Sequence, residues 1–380
     1  MNSLEQTLLT RLQSAGPISF AEFMDTALYD RLHGYYASGK ASIGGHGDFV
    51  TAVSSGPLFG RLLARQFQEM WTLLGSPGSW VLVEQGAFDG RLCCDILEGL
   101  HENAPRCFEA TNIHLVEPFS QFQLRQEATL KPFAAKITWH RSLDTLPEFT
   151  GVHYSNELLD AFAFHIVRRT EKQWLELKVT AQGRSLAFTP HPIRDPALIA
   201  RTRELPAAEP GFTTEVCLTH LEWLQKLSRK LISGWVLAFD YGMSQQEIFL
   251  PHRKNGTASA YHSHQRETNL LARPGDQDLT AHVNFSALTR DAHATGWNLA
   301  GYTDQHHFFT GLAPLHFKDA TEKLSVPQQR ELLMFRTITH PQLMGIQFKA
   351  WCLSQGSLPG LRGFTHASRS MSGLEASQQT

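Results

Sequence analysis

Several features that mark specialised chains are missing or scarce here. The 380 residues hold five cysteines (Cys93, Cys94, Cys107, Cys217 and Cys352) and no C-x-x-C pair. So sparse and odd a set argues against a disulfide framework and against a structural zinc site. Cys93 and Cys94 are expected as small core residues. The net charge is -2, and no long Lys/Arg run occurs. Nothing therefore draws the chain to nucleic acid or anionic lipid, and neither is expected as a partner. No apolar run approaches the roughly 20 residues that span a bilayer. Residues 1–16 lack a signal-type apolar core, and Glu5 sits badly in an acid-poor transit peptide. The expectation is a soluble, cytoplasmic protein in a reducing compartment. G-x-S-x-G, H-E-x-x-H and P-loop patterns are absent. The 19 histidines show no ligand spacing, and no metal is expected.

What is present is an ordinary globular composition, 42% hydrophobic and 18% charged, able to bury a core. Leu4, Leu8, Leu9 and Leu12 have helical spacing, stopped by Gly16 and Pro17. Ser19 and Glu22 suggest a capping box on a second helix. Pro57 can open a third, which carries Leu58, Phe59, Leu62, Leu63, Phe67, Met70 and Trp71. From Trp80 onward, short apolar runs ending in a polar or acidic residue alternate with helical segments. The runs end at Glu84, Glu117, Asn156 with Glu157, and Asp240. Such alternation predicts a doubly wound α/β fold with a mostly parallel sheet, whose ligands bind outside the carboxyl ends of the strands. The expected organisation is an N-terminal helical segment over 1–75 and a core over 76–355. Inserted hairpins and loops are expected near 165–212 and 243–340, with a flexible tail at 363–380.

Three groups of residues could carry chemistry. The first is Glu84-Gln85-Gly86-Ala87-Phe88-Asp89-Gly90, between a strand and a helix. Its glycines allow a sharp turn and close ligand approach, and helix N–H groups face the loop. Phe88 stands where a dinucleotide fingerprint would have a glycine, and Asp89 would repel phosphate. An uncharged or cationic cofactor fits better than a pyrophosphate, and S-adenosylmethionine is the leading candidate. Glu84, Gly86, Phe88 and Gly90 are its candidate contacts, and an NAD enzyme is the weaker reading. The second group is Glu117, an acid at the end of the next strand, where ribose hydroxyls are commonly held; the plain alternative is a solvated acid. The third is Asn156-Glu157-Leu158-Leu159-Asp160. On a helix Glu157 and Asp160 share a face and could hold a cationic amine or guanidinium and receive its proton. Equally, they could be first-turn acids behind a capping Asn156.

Further segments extend the pattern. These are Phe20-Ala21-Glu22-Phe23-Met24, His33-Gly34-Tyr35-Tyr36, Gly47-Asp48-Phe49-Val50-Thr51, Leu58-Phe59-Gly60, Ser155-Asn156-Glu157-Leu158-Leu159-Asp160-Ala161, Phe239-Asp240-Tyr241-Gly242 and Gly275-Asp276-Gln277-Asp278-Leu279-Thr280-Ala281-His282-Val283-Asn284-Phe285. In this order, over about Phe20 to Ser354, the chain resembles the MidA-like class I methyltransferases. The resemblance implies S-adenosylmethionine as cofactor, with Gly86, Gly90 and Glu117 lining it. Gly47, Asp48 and Thr51 would close over it, and Asn156, Glu157 and Asp160 would lie beside it. It also implies methylation of a protein arginine, as in the family's mitochondrial members, which support complex I assembly. The catalytic candidates are Glu157, Asp160 and Asp48, with Asp240 as a helper. The chain departs from the family where Glu-Leu-Gly-Pro-Gly-Arg-Gly-Thr is usual: Phe88 replaces the middle glycine. His262 stands where a basic residue is usual. The alternative is a methyltransferase-fold scaffold that binds a partner protein without turnover.

Overall fold

The structure is a computed structural model and describes residues 2–39, 53–262, 265–317, 325–366 and 374. By contact the chain divides into two units. One contains Val50–Leu158, Trp223–Gly242 and Phe285–Thr380; the other contains Met1–Phe49, Leu159–Glu222 and Met243–Asn284.

The first unit is built on strands β1 (Trp80–Gln85), β2 (Thr111–Val116), β3 (Ile137–His140), β4 (Phe149–Asn156), β5 (Leu231–Met243), β6 (Asn298–Asp304) and β7 (Phe348–Gln355). They lie in the order β3-β2-β1-β4-β5-β7-β6. The pairs from β3 through β5 are parallel, while β7 runs antiparallel to both β5 and β6. A strand covered on both faces needs apolar side chains on both. β1 shows this, with Trp80, Leu82 and Val83 all buried. Leu82, Ile113, Val152, Leu237 and Cys352 pack on one face with helices Leu58–Leu73, Arg91–Asn103 and Gln305–His316. Across the other face, Trp351 donates its indole N–H to Thr289 Oγ1 at 3.0 Å. There too Trp297 donates to the Leu224 carbonyl at 3.3 Å. β1 pairs with β2 on one side and with β4 on the other. The chain reverses its winding there, so the carboxyl ends of β1 and β4 border the crevice where doubly wound sheets bind ligands. The fold is thus the Rossmann-like arrangement expected.

The second unit carries helices Ser3–Ala15 and Phe20–Tyr29. Ser19 Oγ accepts the Glu22 N–H at 3.0 Å, one half of the expected capping box. A four-stranded antiparallel sheet covers His165–Arg169, Trp174–Gln182, Ser185–Pro192 and Thr213–Val216. Phe20 packs on Phe164 and Phe188.

The expected boundaries need correction in three places. The segment 1–75 is not one body: its first two helices group with the hairpin sheet, whereas Leu58–Leu73 packs on the main sheet. The insertion placed at 243–340 ends sooner, because helix Phe285–Ala294, β6 and Gln305–His316 belong to the sheet's own unit. The tail placed at 363–380 begins too early. Gly363 and Phe364 are buried, and the Phe364 ring meets Phe308 edge-on at 5.1 Å between centroids. Residues 367–373 and 375–380 lie outside the described residues. We predict that Phe364→Ala lowers stability by about 3–5 kcal/mol, the usual range for emptying a buried phenyl site. A urea midpoint that falls at unchanged m-value is the expected result; an unmoved midpoint would place this turn outside the folded core.

Candidate functional site

The loop after β1 is held in an unusual backbone state. Gly86, Phe88 and Gly90 have φ of 79°, 48° and 80°. Gly90 caps helix Arg91–Asn103. A Cβ there would come within 3.2 Å of Leu130 and 3.3 Å of Gln126 Cα. The positive φ thus favours glycine here, and a Cβ would also be a tight fit. Phe88 has no such freedom, and a left-handed non-glycine residue costs on the order of 1–3 kcal/mol. Its ring packs against Phe122 at 5.3 Å, with the Arg125 guanidinium 5.7 Å from its centroid. The Phe88 ring therefore packs against helix Ser120–Thr129. Asp89 Oδ1 accepts the Arg91 N–H at 3.0 Å, so its charge offsets the positive end of the helix.

The acids near the end of β1 and just after β2 differ. Glu84 is buried beneath the loop, and its Oε2 accepts the Tyr154 hydroxyl at 2.8 Å. Burial pushes its carboxyl up to about 8, against a smaller pull from Tyr154. Glu117 is also buried, and it accepts two hydrogen bonds where Glu84 accepts one. Oε1 accepts the Phe119 N–H at 3.0 Å and Oε2 accepts from Gln126 Nε2 at 2.9 Å. Burial raises it to about 7, with both bonds opposing the shift. A carboxylate offers about four lone-pair directions. Those that remain suit a vicinal diol.

β4 does not run into a helix. The spacing of Glu157 and Asp160 suggested a shared helical face. Instead Glu157 turns out of the strand with φ 54°, and a single 3-10 turn covers Leu159–Ala161. The helical premise is therefore corrected. The Glu157 N–H donates to the Phe239 carbonyl at 2.8 Å, and Asn156 Nδ2 donates to Glu157 Oε1 at 3.0 Å. Asn156 Oδ1 is buried and has no hydrogen-bond partner among the described residues. A buried acceptor of this kind fits a donor such as the amino group of S-adenosylmethionine. Asp240 Oδ2 accepts the Leu158 N–H and Oδ1 the Tyr241 N–H, at 3.1 and 2.9 Å. Its bond to Leu158 ties the turn after β4 to β5.

The structure thus gathers Gly86, Phe88, Gly90, Glu117, Asn156, Glu157 and Asp240 at the carboxyl edge of one sheet. Among the described residues, three non-glycine positions have positive φ, and Phe88 and Glu157 are two of them. Asp160 groups with the other unit, where its Oδ2 accepts the Thr280 hydroxyl at 2.7 Å. Tyr36 donates to Asp278 in that unit at 3.1 Å, and Tyr29 to the Ala161 carbonyl at 3.0 Å. Gly47, Asp48 and Thr51 lie outside the described residues. No group of three His, Cys, Asp or Glu side chains among the described residues is placed to hold a metal. The sequence did not single out Gln126, Trp139 or Tyr154. Only burial distinguishes Gln126 from neighbouring glutamines, and no spacing records that.

The left-handed strain at Phe88 can be measured. Phe88→Ala and Phe88→Gly both lose the ring, but only glycine also relieves the backbone. We predict that the glycine variant is the more stable by about 1 kcal/mol in urea denaturation. Alanine equal to or better than glycine would show that the loop carries no such strain.

A family model described as "Putative S-adenosyl-L-methionine-dependent methyltransferase" matches residues 62–303, more than half of the chain. A mouse protein named "Protein arginine methyltransferase NDUFAF7, mitochondrial" is 28% identical, over 91% of this chain and 83% of its own. The human protein of that name is 28% identical over 91% and 82%. A structure from Burkholderia thailandensis, described as a "likely methyl transferase" bound to S-adenosyl-homocysteine, superposes with a TM-score of 0.86. It is 27% identical and covers 96% of this chain and 95% of that one. The expectation of a cytoplasmic protein is overturned, because these curated relatives are mitochondrial by name. Of membranes the structure says only that no helix among the described residues is long and apolar enough to cross one. With the model match, the sheet order and the strand-end site in agreement, the chain belongs to the S-adenosyl-L-methionine-dependent methyltransferase family.

Proposed function

We propose that this chain methylates an arginine side chain of a protein, with Glu157 as the carboxylate that meets the acceptor. The observation that carries the reading is the left-handed turn at Glu157, which lifts a carboxylate off the end of β4 beside the buried acceptor of Asn156. The arginine methyltransferase names of the relatives support the choice of acceptor.

S-adenosylmethionine, when bound, supplies a methyl group already activated on a sulfonium. The chain's own residues then have three tasks. Glu117 receives the ribose hydroxyls, Asn156 Oδ1 receives the amino group, and Gly86 and Gly90 let the backbone come close. Placement of this kind can contribute up to roughly 7–11 kcal/mol. A guanidinium stays charged at any ordinary pH, so one of its nitrogens becomes nucleophilic only as a carboxylate orients it and takes its proton. Glu157 performs that step.

The test uses methyl-labelled cofactor and a heat-treated protein extract as the source of acceptors. The expected result is label recovered as methylarginine after acid hydrolysis. Glu157→Gln should lower turnover by about 10²–10⁴-fold while cofactor affinity changes little. Label that never enters protein, or enters lysine alone, would sink the arginine reading.

A further inference from the structure

Gln126 lies in helix Ser120–Thr129 and is fully buried. A buried amide is costly unless its hydrogen-bonding groups are satisfied, and here both ends have partners. Nε2 donates to Glu117 Oε2 at 2.9 Å and to the Phe88 carbonyl at 3.1 Å. Oε1 accepts the Trp139 indole N–H at 3.0 Å. The partners follow β1, follow β2 and lie on β3, so one side chain ties the ends of three strands together.

The orientation of the amide is fixed by chemistry. An indole nitrogen only donates, so the Gln126 carbonyl must face Trp139. The amino group must then face Glu117 and Phe88. The N–H donated to Glu117 in that orientation opposes the larger upward shift that burial gives its carboxyl. It also holds one Glu117 oxygen from behind, while the Phe119 N–H holds the other. Both oxygens are thereby aimed, each with lone pairs remaining.

We propose that Gln126 is a positioning residue for the cofactor's ribose: through its amide it aims Glu117 and fixes the Phe88 carbonyl together, and so sets the preference for a ribose over a deoxyribose. The inference rests on the reading of Glu117 as the ribose carboxylate. It makes Gln126 responsible for selectivity, and not only for packing. A methionine of similar volume would fill the same space without donating.

The test is calorimetry with S-adenosylhomocysteine and its 2′-deoxy and 3′-deoxy analogues. The full chain is compared with Gln126→Met and Trp139→Phe. The unaltered protein should prefer the ribose form by about 10- to 100-fold, the size of a hydrogen bond to a charged group. In Gln126→Met that preference should collapse to a few-fold. Trp139→Phe removes only the donor that orients the amide, and it should give an intermediate ratio. It also serves if the methionine variant fails to fold. Equal weakening of all three ligands, with the ratio unchanged in the variants, would overturn the proposal and leave Gln126 a structural residue. No preference in the unaltered protein would instead overturn the Glu117 reading, and the proposal with it.

Discussion

The parallel pairing of β1 with β4 is the constraint on which the rest depends. The two strands are hydrogen-bonded neighbours, yet each is followed by a connection on a different side of the sheet. At a switch point of this kind the strand order reverses, and a crevice opens outside the carboxyl ends of the two strands. Each strand must therefore turn out at once. The structure meets that requirement with left-handed residues on both sides, Gly86, Phe88 and Gly90 after β1 and Glu157 after β4. The backbone conformation that closes the fold is also the one that presents loop backbone and a carboxylate to a ligand.

Two of those left-handed positions lack the freedom of glycine, and the surroundings offset the cost. Phe88 gains ring packing on Phe122 and a carbonyl bond from Gln126. Glu157 gains a backbone bond to Phe239 and a side-chain bond from Asn156. A loop in which phenylalanine replaces the middle glycine can thus keep the glycine geometry. The substitution changes how the loop is held. It does not change which elements meet at the crevice.

Much of the sheet could be read from the chain because buried parallel strands have a plain signature. Val81-Leu82-Val83 and Ile113-His114-Leu115-Val116 are apolar runs of strand length, each flanked by a helical pattern. The acids that close them mark the ligand edge. β6 and β7 escaped notice for a physical reason. Asn298-Leu299-Ala300-Gly301-Tyr302 has little β-branched content, and Phe348-Lys349-Ala350-Trp351 mixes charge with bulk at an antiparallel position. The Glu157/Asp160 spacing misled because three-residue separation favours a helix locally, whereas the end of β4 demands a turn. Gln126 was hidden among Gln121, Gln123 and other polar neighbours of an otherwise solvated-looking helix. Its importance arises only when three strand ends converge on it.

The central claim is that the crevice between β1 and β4 seats the cofactor, with Glu117 at its ribose. A crystal structure with S-adenosylhomocysteine addresses it directly. The account predicts both ribose hydroxyls within hydrogen-bond distance of Glu117, with Gln126 still bonded to the same carboxylate. A nucleoside seated elsewhere, or a ribose turned away from Glu117, would contradict it.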